Sequence, residues 1–153
     1  MAEPQNDQKQ LQQLQKWAEG KATLKDVRGY TDEQLYSIAR AAYNFYYQGK
    51  LEQARTLFQG LYAVNPLNSY FAKALGVVEF AAGNSAGAIS AYDVAIKLSP
   101  EDAGAYVGRA EIKLAMGQKT EAIADLRKAS QSVVTGDPLE AKVSAMLQAL
   151  NRR

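Results

Sequence analysis

The feature that constrains this chain most is a period. Gly49, Gly83 and Gly117 stand 34 residues apart, and Ala54, Ala88 and Ala122 keep the same step. Pro66 and Pro100 share it. Around each glycine the apolar residues recur at helical spacing, so each copy reads as two amphipathic helices, A and B, joined by a tight turn. Such a unit cannot bury its apolar face alone, so it must stack on its neighbours. The residue types suit that packing. Ala42, Gly76 and Ala110 are small where helices A and B of one copy cross, and Ala54, Ala88 and Ala122 are the matching small positions on helix B. Phe58, Tyr92 and Leu126 are the large knobs between successive copies. Ile38, Phe45 and Leu61 are expected to complete the core of the first.

Three copies in phase are the signature of tetratricopeptide repeats. The sequence therefore predicts an all-α protein: three tandem tetratricopeptide repeats at 35–68, 69–102 and 103–136, forming a right-handed superhelical solenoid. Residues 1–30 are expected to hold a tail, a helix and a connector, residues 31–136 the repeats, and residues 137–153 a C-terminal capping helix. Leu11, Leu14 and Trp17 put an apolar stripe on the N-terminal helix, which is too short to be stable alone. Its cover is either the first repeat or a second copy of the chain, so these three residues are the candidate homodimer contact. Residues 1–10 are polar and read as a frayed start. Thr31 with Gln34 forms a capping box. Asn65-Pro66 and Ser99-Pro100 each read as a repeat's end and the next one's start, with the proline at the first helical position. Repeat 3 lacks the closing proline. Asp137-Pro138 opens the last helix instead, whose Leu139, Val143, Met146, Leu147 and Leu150 are expected to cover the end of the stack.

Composition narrows the function classes. The 153 residues include no His and no Cys, which removes the commonest general base, the commonest metal ligand, disulfides and thiolate metal sites. No phosphate loop, nucleophile elbow or metal-spaced acidic pair is present, so the chain reads as no enzyme, with no metal and no cofactor. No apolar run is long enough to span a bilayer, and the N-terminus lacks the pattern of a secretory signal, which points to the cytoplasm and away from membrane insertion. The net charge of +2 is spread over the repeats. Lys119, Arg127 and Lys128 read as a solvated helix face rather than a nucleic-acid patch.

The candidate site is the wall formed by the A helices, on the face away from helix B. Repeat 1 places Tyr36, Ala39, Tyr43, Tyr46 and Tyr47 there. Repeat 2 places Tyr70, Lys73, Val77 and Phe80, and repeat 3 places Val107, Glu111 and Leu114. A wall meant for solvent should be polar. This one is largely aromatic and aliphatic, as a surface for an extended peptide segment would be. Phe45 falls between Tyr43 and Tyr46 in sequence but well over 100° from the centre of their arc, hence its assignment to the core.

The segments TLKDVRGYTDEQLYSIA, YNFYYQGKLEQARTLFQGLYAVNPLN and ALGVVEFAAGNSAGAISAYDVAIKLSP, with the closing VSAMLQAL, resemble the class II chaperones of bacterial type III secretion, which serve translocator proteins. The likeness spans roughly residues 23–150 and includes Glu79, at a place where a generic repeat has a large apolar residue. The resemblance implies a bacterial cytoplasmic chaperone that holds an extended segment of a hydrophobic translocator protein in its concave groove, with contacts at Tyr43, Tyr46, Val77 and Phe80. It also implies dimerisation through N-terminal residues. A generic tetratricopeptide scaffold or assembly adaptor is the alternative with the same fold.

Overall fold

The computed structural model describes residues 4–152, with side chains from Asp7 onward. Among them lie nine helices and no strand: α1 Pro4–Ala18, α2 Leu24–Arg28, α3 Asp32–Tyr47, α4 Leu51–Val64, α5 Ser69–Ala81, α6 Ser85–Leu98, α7 Ala103–Ala115, α8 Lys119–Ser132 and α9 Pro138–Asn151. The three A–B turns carry Gly49, Gly83 and Gly117 at φ 75°, 84° and 76°. That left-handed conformation is cheap only without a Cβ, which explains why these glycines keep the period.

The chain divides into two compact units, one running to Phe71 and one from Ala72. In the first unit, α3 packs on α4 around Leu35, Ala39, Ala42, Ala54, Phe58 and Leu61, all buried. The Thr31 hydroxyl accepts from the Gln34 amide (3.2 Å) and the Gln34 side chain accepts from the Thr31 amide (2.9 Å), closing the expected capping box. The connector before it holds α2, which has its own box: Asp26 Oδ2 accepts from the Thr23 amide and hydroxyl, both at 2.8 Å. α1 packs on α2 and already begins at Pro4, so within the described residues the start of the chain is helical rather than frayed.

Ile38 and Phe45 are not core. Ile38 is 41 % exposed and Phe45 is half-buried, with the Lys50 ammonium over its ring at 5.7 Å. The corresponding positions of repeat 2, Ala72 and Glu79, are buried. The face of α3 that packs on α4 carries Leu35, Ala39 and Ala42 instead.

In the second unit, α7 and α8 pack with α9 around Ala103, Val107, Ala110, Ala122, Leu126, Ala129 and Val143, while Leu139, Met146, Leu147 and Leu150 of α9 lie against that core. α9 thus covers the end of the stack as its apolar spacing requires. Tyr92 of α6 is the keystone. A Cβ on Gly76 would meet its ring at 2.7 Å, and one on Gly108 would collide with its hydroxyl end. Gly108 does not stand out from the period, because the crowding comes from a ring sixteen positions away.

Two of the three prolines read as helix starts are not. Pro66 and Pro100 lie in the turns, and the caps are Asn68 and Asp102. Of these three, Pro138 alone sits in the first turn of a helix, behind Asp137, whose side chain accepts from the Leu139 amide at 2.8 Å.

Candidate functional site

In the first unit the tyrosines gather into one cluster. Tyr43 packs edge-on against the buried Phe58 (centroids 4.9 Å) and lies 6.4, 6.2 and 6.3 Å from Tyr46, Tyr47 and Tyr70. Tyr36 meets Tyr70 at 5.5 Å and Phe71 at 5.4 Å. These are the spacings of favourable ring pairs. Helical geometry lines up Tyr36, Tyr43 and Tyr47 along one face of α3. The first turn of α5 brings Tyr70, and its N-cap joins the two helices: Asn68 donates to the Tyr36 hydroxyl (3.1 Å) and accepts from the Tyr70 and Phe71 amides.

The cluster is graded in exposure. Tyr43 and Tyr46 are half-buried, Tyr36 and Tyr70 are just exposed, and Tyr47 is 79 % exposed. Arg40, Tyr43, Asn44, Tyr47 and Tyr70 line a cleft of about 480 Å³. Ala39 is a different case. It is 1 % exposed between Tyr36 and Tyr43, so it cannot meet a ligand as the wall assignment supposed. Its small size lets the aromatic rings close over α3.

The wall positions of the second unit are mostly engaged. Lys73 donates to Asp102 at 2.7 Å, while the other oxygen of Asp102 caps α7 through the Ala105 amide. Glu111 pairs with Lys142 of α9 at 2.6 Å. Val107, 3 % exposed, and the half-buried Leu114 belong to the core under α9, because the capping helix takes the face of α7 that the wall assignment left open. Val77 is half-buried, and Phe80 stands at the border of exposure.

Sequence reasoning missed a charged network behind this wall. Arg109 holds both oxygens of the buried Asp125 (2.9 and 2.6 Å) and one of Asp93 (2.7 Å), and Lys113 adds a bond to Asp125 at 2.8 Å. The hydrogen bonds to Asp125 outweigh burial and push the Arg109 guanidinium above its ordinary range, so it stays charged. Glu79, also buried, accepts from Asn84 (2.7 Å), whose oxygen caps α6 through the Gly87 amide (3.0 Å). No group of three or more acidic residues among the described residues could hold a metal ion. No described helix is long and apolar enough to cross a membrane.

Leu11, Leu14 and Trp17 of α1 are all exposed. Leu14 and Trp17 border a cleft whose far side is Leu24 and Val27 of α2.

Helix pairs on a 34-residue period define a tetratricopeptide-repeat protein, and the tetratricopeptide repeat model matches residues 39–103 and 83–132. Low calcium response locus protein H of Yersinia pseudotuberculosis is 32 % identical over 133 residues, covering 84 % of this chain and 77 % of that protein. The type III secretion translocator chaperone SycD of Yersinia enterocolitica superposes with a TM-score of 0.80 at 27 % identity, over 84 % of this chain and 98 % of SycD. SycD in complex with a peptide of the translocator YopD gives 0.72 at 28 %, over 78 % and 94 %. The chain belongs to this family of tetratricopeptide translocator chaperones of type III secretion.

Proposed function

We propose that this protein is a non-enzymatic chaperone of the bacterial cytoplasm that binds an extended segment of a hydrophobic translocator and keeps it soluble and export-competent. The observation that carries this reading is the open tyrosine cluster of the first unit, with its cleft between Tyr43, Tyr47 and Tyr70. Tyrosine gives a large contact area at low entropic cost and keeps a hydroxyl for the backbone of an extended chain. SycD, a relative by sequence and fold, has been solved with a translocator peptide. The contacts are assigned to Tyr36, Tyr43, Tyr46, Tyr47 and Tyr70 in the first unit, with Val77 and Phe80 as the second unit's own apolar contribution. The mechanism is passive. A membrane-seeking segment held along this surface cannot aggregate, and an affinity on the order of micromolar, once association costs are subtracted, lets the client be handed on.

The stripe of Leu11, Leu14 and Trp17 is assigned to a homodimer contact, since α2 leaves all three exposed. Light scattering should then find a larger species for the full chain than for one beginning at Lys25.

The groove is tested by fluorescence polarisation with a labelled YopD peptide. Tyr46→Ala and Tyr47→Ala should each weaken binding about tenfold, as interface hot spots do. Tyr43 is the poorer probe, because its ring also supports Phe58. Unchanged affinity in both variants would move the ligand elsewhere.

A further inference from the structure

Among the described residues, Arg40 is the only charged one that lines the tyrosine cleft. Other cations near the repeat cores have acidic partners: Lys73 has Asp102, Arg109 has Asp93 and Asp125, and Lys113 has Asp125. Arg40 has neither an ion pair nor a side-chain hydrogen bond among the described residues. Asn44 lies one turn further along α3 and Tyr47 two turns, so a guanidinium, a carboxamide and an aromatic ring border the same cleft. A guanidinium presents a fork of donors matched to a carboxylate, and Asn adds a further donor pair. The rings of Tyr43, Tyr47 and Tyr70 border the same cleft and offer an apolar anchor its place beside that fork.

We infer that this cleft is a carboxylate subsite: the extended peptide it takes carries an Asp or Glu beside its apolar anchor, held by Arg40 and Asn44 while the anchor lies on Tyr43 and Tyr47. The inference rests on the peptide-binding reading of the tyrosine cluster and adds a charge requirement to it. The engaged positions of the second unit have no such role, since their charges are already neutralised within the protein.

The test is selection from a phage-displayed library of random linear peptides against the full chain, followed by fluorescence polarisation of the enriched sequences. Each is synthesised beside a twin in which Asp and Glu become Asn and Gln. The wild type should enrich acidic residues next to apolar ones and bind the acidic peptide about five- to tenfold more tightly than its twin at low salt, as a charge-assisted bond at a partly open site implies. Arg40→Gln should bind both twins alike and melt as the wild type does. Arg40→Glu should select basic residues in their place. Enrichment of apolar peptides without acidic bias, or a preference that survives Arg40→Gln, overturns the subsite and leaves the groove standing. A library that yields no binder overturns the groove itself, and the subsite with it.

Discussion

The two units use equivalent helix positions in opposite ways. In the first, positions along α3 and the start of α5 leave a graded set of tyrosines, from the half-buried Tyr43 to the open Tyr47. In the second, the counterparts on α7 are spent on the protein itself, with Val107 in the core and Glu111 bridged to Lys142 of the capping helix. The difference lies in the capping helix. α9 ends the stack and needs both an apolar seat and a polar latch. A repeat position is therefore a place in space, and its use depends on whether another element arrives to cover it.

If the second unit spends Tyr92 on packing, truncating that ring should cost far more than truncating an open tyrosine of the first. Replacing Tyr92 by Ala removes the ring wedged against Gly76 and Gly108 and should cost about 3–5 kcal/mol in urea unfolding. A cost no larger than that of an exposed tyrosine would break the distinction between the units. Asp125→Ala leaves Arg109 and Lys113 facing each other without their shared acid. Because both cations keep some contact with water, the expected loss is about 2–3 kcal/mol, below the full figure for a severed buried pair. Double variants with Asp93→Ala should be non-additive, since Arg109 bridges the two acids.

The first unit sharpens the contrast from within one repeat. Phe58→Ala should destabilise by about 3–5 kcal/mol, whereas Phe45→Ala, half-buried beneath Lys50, should cost only about 1–2 kcal/mol by its smaller buried area. Equal melting of the two variants would mean that something covers the outer face of α3 in solution. The smallest effect concerns acid. The Asp26 carboxyl is held below its ordinary range by the Thr23 amide and hydroxyl. A depressed carboxyl stabilises the fold above its unfolded value and loses that contribution as pH falls through the folded one. The α2 cap should therefore open only below the usual carboxylate range, monitored through the Thr23 amide resonance. Thr23→Ala should shift that opening to higher pH and leave the Tyr92 region unmoved.

The period by itself determined most of the fold. A left-handed turn every 34 residues, small residues at the helix crossings and an apolar stripe on each helix leave little choice but stacked pairs, because each requirement is local and repeats. The tyrosine face was legible for the same reason: Tyr43, Tyr46 and Tyr47 share one arc of α3, which helix B meets only at its edge, where Tyr43 packs on Phe58. What only the tertiary structure decided was every position whose fate depends on a distant element. Ile38 and Phe45 match the core pattern but stay exposed and half-buried, because the face of α3 that packs on α4 carries Leu35, Ala39 and Ala42. Ala39 and Val107 match the wall pattern but are buried beneath neighbouring side chains and helices. Arg109, Lys73 and Glu111 look like free surface charges until Asp125, Asp102 and Lys142 are brought within 3 Å of them. Periodicity reports which way a side chain points from its own helix. Whether solvent, a charge or another helix waits there is set by contacts between segments far apart in sequence.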